Sequence, residues 1–144
     1  MPTVQVVLTK KGGQVVTVGV EDSVLRAAAL MNDRGIGGVV VLDGDRVAGI
    51  FTERDILRRV VAVGRDPATT MVREVMTAPV AFCRRETTLN ECRSVMTEKR
   101  IRHLPVVDEH GVCGIVTIGD LMAHEAGEHE ATIQYLNEYI FGVR

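Results

Sequence analysis

Gly49-Ile50-Phe51-Thr52-Glu53-Arg54-Asp55-Ile56 returns 65 positions later as Gly114-Ile115-Val116-Thr117-Ile118-Gly119-Asp120-Leu121. Each copy reads as an apolar β-branched run that ends on Thr-x-x-Asp, the pattern of a strand handing over to a capped helix. The same offset aligns Ser23 to Leu57 with Thr88 to Met122 without a gap. Nine pairs are identical there: Met31/Met96, Ile36/Ile101, Val41/Val106, Asp43/Asp108, Val47/Val112, Gly49/Gly114, Ile50/Ile115, Thr52/Thr117 and Asp55/Asp120. The chain is a tandem duplication, and every motif has to be read twice.

Working outward from the repeated octapeptide, the preceding segments give the rest of the unit. Val24, Ala27, Ala28, Leu30 and Met31, like Leu89, Cys92, Val95 and Met96, recur at helical spacing. Val39 to Leu42 and Leu104 to Val107 are short apolar runs followed by turn residues, Asp43-Gly44-Asp45 and Asp108-Glu109-His110-Gly111, so a hairpin follows in each copy. Its second strand covers Val47 to Phe51, or Val112 to Val116. Earlier strands are expected at Gln14 to Val18 and Pro79 to Cys83, with a linking segment from Asp66 to Met76. The expected fold is α/β (α+β): two β-α-β-β-α repeats, 8–65 and 66–126, packed about a pseudo-twofold axis because neither buries its sheet alone. An extra amphipathic helix is expected over 127–144, from Ile133, Leu136 and Ile140.

Composition narrows the function. The 144 residues carry 17 Lys and Arg against 19 Asp and Glu, without the basic excess of a nucleic-acid binder. Aromatics make up 3% and Trp is absent, so there is no stacking platform for single strands either. No stretch approaches the roughly 20 apolar residues that span a bilayer. Lys10 and Lys11 follow the apolar N-terminal run, the reverse of a secretory signal, which points to the cytoplasm. Cys83, Cys92 and Cys113 have no C-x-x-C spacing and read as small buried hydrophobes. His124 and His129 are five apart, the wrong spacing for a helical metal site. Gly35, Gly37 and Gly38 are not a dinucleotide loop, because Val40 stands where a glycine is needed. Nothing forms a nucleophile, base and orienting acid, so no enzyme is expected.

The doubled Gly-Ile-x-Thr-x-x-Asp-(Ile/Leu) segment, with Arg102-His103-Leu104-Pro105-Val106-Val107-Asp108 and Val75-Met76-Thr77, resembles a tandem pair of cystathionine β-synthase (CBS) domains, a Bateman module. It is similar to the pair embedded in inosine-monophosphate dehydrogenase, here standing alone. The resemblance implies clefts between the copies that bind adenosine compounds such as AMP, ADP, ATP, NAD or S-adenosylmethionine, as a regulatory ligand and not a catalytic cofactor. It also implies a homodimer and a regulated partner protein.

Residue by residue, Asp55 and Asp120 would accept from ribose hydroxyls, and Thr52 and Thr117 would donate to phosphate at a helix start. The plain alternative is that each Thr-x-x-Asp is only a capping box. Adenine would lie against Val16, Ile36 and Val39 in a first site, and against Thr77, Pro79, Ile101 and Leu104 in a second. The copies differ where charge matters: Arg54 stands opposite Gly119, and Gly37-Gly38 opposite Arg102-His103, while Val40 replaces Pro105. If the two copies meet at one cleft, Arg54, Arg102 and His103 together would hold a polyphosphate. The other reading is a constitutive homo-oligomerisation scaffold with vestigial clefts.

Overall fold

The computed structural model describes residues 1–12 and 14–128. The expected helix over 127–144 therefore lies outside the described residues, apart from its first two positions. The order of elements is α1 (Val4–Lys11), β1 (Thr17–Gly19), α2 (Val24–Arg34), β2 (Gly38–Asp43), β3 (Arg46–Thr52), α3 (Glu53–Ile56), α4 (Val72–Val75), α5 (Leu89–Lys99), β4 (His103–Asp108), β5 (Gly111–Thr117) and α6 (Ile118–Glu128). After α3 the chain keeps turning in wider helical turns from Leu57 to Val61, with Ala62 N donating to Leu57 O at 2.9 Å.

The duplication extends to fine detail. α2 and α5 each have eleven residues and a hydroxyl N-cap, Ser23 or Thr88, that accepts from the third helical N–H. β2 pairs with β3, and β4 with β5, in antiparallel hairpins. Each hairpin slips register at the equivalent place, between Val41 and Leu42 or between Val106 and Val107. The early strands do not match. β1 pairs parallel to β2, whereas the expected strand over Pro79 to Cys83 is reduced to one bridge, Cys83 to Val106. Pro79 has no N–H to contribute to a ladder there.

Two cores form, and each is closed by the other copy. Val18, Val24, Ala27, Met31, Val39, Val41, Phe51 and Val60 bury one another, together with Val72 and Val75 of α4. Leu89, Cys92, Met96, Leu104, Val106, Val116 and Leu121 form the second core, completed by Val4, Val7 and Leu8 of α1. The backbone fixes this exchange by matching bonds: Val72 N donates to Asp22 O at 2.8 Å, and Val4 N to Thr87 O at 2.9 Å. The segment Asp66 to Met76 is thus more than a link, since its Val72 and Val75 are fully buried. Cys83 and Cys92 are buried free thiols of the second core, and Cys113 is a half-buried one. Among the described residues no helix is long and apolar enough to cross a membrane.

Candidate functional site

Strand β3 ends at Thr52, whose hydroxyl accepts from Asp55 N (3.4 Å), while Asp55 Oδ2 accepts from Thr52 N (3.0 Å). This closes the capping box that the spacing predicts. The box does not exhaust the carboxylate. Asp55 is 5% exposed, and its Oδ1 accepts from Thr77 Oγ1 at 3.0 Å. Thr77 is held by a reciprocal backbone bridge with Ile50 (3.1 and 2.9 Å). Arg59 clamps the end of α4, donating to Met76 O (2.7 Å) and Val75 O (3.3 Å), with its Nε 3.9 Å from Asp55.

Around this junction lies a cleft of about 470 Å³. It brings together Thr52, Arg54 and Asp55 of the first copy with Thr77, Ile101, Arg102 and His103 of the second. The sequence reading assigns Thr52 and Asp55 to the first copy's site and Thr77 and Ile101 to the second's; the structure puts all four on one cleft. The exchange of α1 and α4 lays the opening of the second copy over the Thr-x-x-Asp of the first, so like numbering does not mean like site. Arg54, Arg102 and His103 do line the same cleft.

Other expected residues lie elsewhere. Val16 and Ile36 pack on the first core and Val39 is buried inside it; Leu104 belongs to the second core. Pro105 is buried in β4, its carbonyl accepting from Cys83 N at 2.9 Å, and Pro79 is exposed. None of these lines the cleft; Val39, Leu104 and Pro105 are buried in β2 and β4 instead. Gly38 lies beneath the His103 ring, where a Cβ would come within 3.0 Å of the imidazole. Residues that sequence reasoning did not select also line the cleft, among them Glu53, Arg58, Lys99 and Arg100. The signal was present as two runs of cations, Arg54 to Arg59 and Lys99 to Arg102.

The second Thr-x-x-Asp is built alike and partnered differently. Asp120 Oδ2 accepts from Thr117 N at 2.9 Å, but it also meets the ammonium of Lys11 at 2.9 Å, and Lys11 donates to Ile115 O at 2.8 Å. Where α4 stops at Val75 and turns out to offer Thr77, α1 runs on for another turn and offers Lys11. The first carboxylate therefore has a hydroxyl neighbour and the more distant Arg59 guanidinium beside the cleft, and the second a directly bonded ammonium.

Across the cleft charge is one-sided. Arg54, Arg58, Arg59, Lys99, Arg100 and Arg102 face only Glu53 and Asp55. Among the described residues Arg54, Arg58, Lys99, Arg100 and Arg102 make no ion pair, so the cleft carries a net positive field. His103 is half-buried, and burial chiefly holds its pKa below the ordinary value; Glu53 and Asp120 pull it up, and Lys11 and Arg102 push it down. A histidine depressed in the native state binds its proton less readily than the unfolded chain does. Stability should therefore fall as pH drops below about 6.5, and level off once the lowered native pKa is passed. Urea midpoints between pH 7.5 and 5 should drop less steeply in His103→Gln than in the wild type; parallel curves would assign the acid sensitivity to other groups.

Comparison with known proteins agrees with this architecture. The family model described as the CBS domain matches residues 7–62 and 72–127. The mitochondrial CBS domain-containing protein CBSX3 of Arabidopsis thaliana is 36% identical over 127 residues, 85% of this chain, which spans 62% of that relative's length. An inosine-5'-monophosphate dehydrogenase of Korarchaeum cryptofilum is 35% identical over 113 residues, 78% of this chain but 22% of the dehydrogenase. A crystal structure of a CBS-domain-containing protein from Agrobacterium tumefaciens superposes with a TM-score of 0.80 at 37% identity, covering 85% of this chain and 98% of that one. The exchanged repeats, the doubled Thr-x-x-Asp junctions and these likenesses have one meaning: the chain belongs to the CBS domain family and carries two such domains in tandem.

Proposed function

We propose that this chain is a non-catalytic regulatory module that binds one adenosine nucleotide, of the AMP, ADP, ATP or NAD class, in the cleft at Asp55, and passes its occupancy to a partner protein. A cytoplasmic location goes with that reading. CBS pairs are regulatory, nucleotide-binding modules, which sets the class. The observation that carries the reading is the junction itself. A buried carboxylate lining the cleft, the hydroxyls of Thr52 and Thr77 beside it, and a rim of cations without ion pairs suit ribose and phosphate. Ile50, Leu57 and Ile101 supply apolar lining for a base. Both copies contribute walls, so a bound ligand bears on how they pack against each other, which is the means of signalling.

Thermal midpoints with AMP, ADP, ATP, NAD, S-adenosylmethionine and GTP at millimolar concentration test this. A ligand at about 100 times its Kd adds roughly 2.7 kcal/mol, a rise of several degrees at this size. Rises confined to the adenosine compounds support the sensor, and silence across the whole panel sinks it.

A homodimer is part of the proposal, supported by large apolar side chains that stand exposed in both copies. Val61 and Met122 are 66% and 60% exposed, and Leu57, the counterpart of Met122 one repeat earlier, is 61% exposed. Matching apolar positions on both halves suit a self-complementary contact. In sedimentation, Val61→Glu with Met122→Glu should shift a dimer to a monomer; an unmoved dimer would place the interface elsewhere.

A further inference from the structure

Away from the cleft, two of the chain's three cysteines meet. Cys83 and Cys92 are both buried in the second core, with their thiols hydrogen-bonded side by side, and Cys83 Sγ also reaches Pro105 O at 3.6 Å. The bond to Cys92, with burial, pushes the Cys83 thiol up, so in the closed fold it rests protonated. The first copy shows that the fold needs no sulfur at either position. Val18 pairs with Val41 as Cys83 does with Val106, and Ala27 stands on α2 where Cys92 stands on α5. Both are buried in the first core, so plain apolar side chains fill these places.

The two copies also differ in how this segment is anchored. The early strand of the first copy has three paired residues, whereas Cys83 is held by a single bridge, through Cys83 N to Pro105 O and Val107 N to Cys83 O, both 2.9 Å. Its neighbour Phe82 is exposed. A segment tied by one bridge at the surface opens at lower free energy than the core, which gives Cys83 a route to solvent without global unfolding. Cys113 cannot stand in for Cys92. It precedes Gly114, which pairs with Val106 from the opposite edge of β4, and two strand spacings, about 9.6 Å, exceed the roughly 7 Å reach of a disulfide.

We propose that Cys83 and Cys92 are a redox-active pair that a hydroperoxide converts to a disulfide, stapling the opening of the second copy to α5. When the segment opens, Cys83 loses its proton and its sulfur attacks the peroxide: an S–O bond forms, the O–O bond breaks, and water or an alcohol leaves. The sulfur of Cys92 then attacks that of Cys83, forming the S–S bond and breaking the S–O bond, and water leaves with the Cys92 proton. Two electrons pass from the thiols to the peroxide, and a small dithiol returns them. The staple joins the segment that follows Thr77 to the helix that ends at Lys99, and both of these residues line the cleft.

Reduced protein exposed to excess hydrogen peroxide at neutral pH tests this, by thiol titration in denaturant and peptide mass mapping. The expected result is one remaining thiol, at Cys113, a linked peptide pair carrying Cys83 and Cys92 with two hydrogens lost, and full reversal by dithiothreitol. The reaction should run at least about tenfold faster than global unfolding, because only the one-bridge segment has to open. Cys92→Ala repeats what the first copy has at Ala27, so it should fold and instead collect oxygen on Cys83 as sulfinic acid. Three intact thiols, sulfinic acid at Cys83 in the wild type, a linkage through Cys113, or oxidation no faster than unfolding would each overturn the pair.

Discussion

Gly49→Ala is expected to destabilise the protein by about 3 kcal/mol, although it adds a single methyl group. A Cβ at Gly49 would lie 2.6 Å from Thr77 O and 2.9 Å from Met76 Sδ. The first of these is backbone, and it belongs to the bridge with Ile50 that holds Thr77 against Asp55. It cannot rotate away, so the bridge must open, at a loss of about 1 kcal/mol per hydrogen bond beyond the steric cost. Gly114→Ala makes the informative partner. There a Cβ would meet Leu8 Cδ2 at 2.5 Å, closer still, yet at the end of a side chain that can change rotamer. About 1 kcal/mol is expected for it. Urea unfolding of the two variants decides: equal costs would mean that the Ile50–Thr77 bridge is not what positions the second copy's opening.

Asp55→Ala should reduce nucleotide affinity at least about 100-fold, whereas Asp120→Ala should leave it within about threefold. Asp55 lines the cleft, and Asp120 is held by Lys11 outside it. Asp55→Ala also strips a buried acceptor from Thr52 N and Thr77 Oγ1, at about 2 kcal/mol of stability. Asp55→Asn guards against a trivial unfolding result, because its amide oxygen can still cap the helix. Calorimetric titration of the three variants reads both effects. Binding that survives in both Asp55 variants, or that disappears in Asp120→Ala, would show that the second junction holds the ligand.

The elements were legible in the sequence because they obey local rules. Helical spacing at Val24 to Met31 and Leu89 to Met96, the hairpin turns and the Thr-x-x-Asp boxes all act within a few residues, and one offset doubled every signal. The pairing of walls with junctions was not legible. An offset identifies equivalent positions within each copy, but it says nothing about which copy a helix lies against, and that is settled by burial across the whole chain. α1 shows the difference. Val4, Val7 and Leu8 have the i, i+3, i+4 spacing of an apolar helix face, yet their partners Leu89, Val116 and Leu121 are far along the chain. Lys11 escaped notice for a related reason: the extra turn that carries it to Asp120 has no counterpart in the short α4. Arg100 was open to detection, since the same alignment sets it over Gly35.

The exchanged helices also set an order on synthesis. As the chain leaves the ribosome, the first copy completes its core once Val72 and Val75 emerge, so it can fold while the second copy is still unmade. α1, made before either hairpin, cannot bury Val4, Val7 and Leu8 until Val116 and Leu121 exist. Its apolar face must wait for the second copy, so a helix translated ahead of the first hairpin finds its place only after the last one.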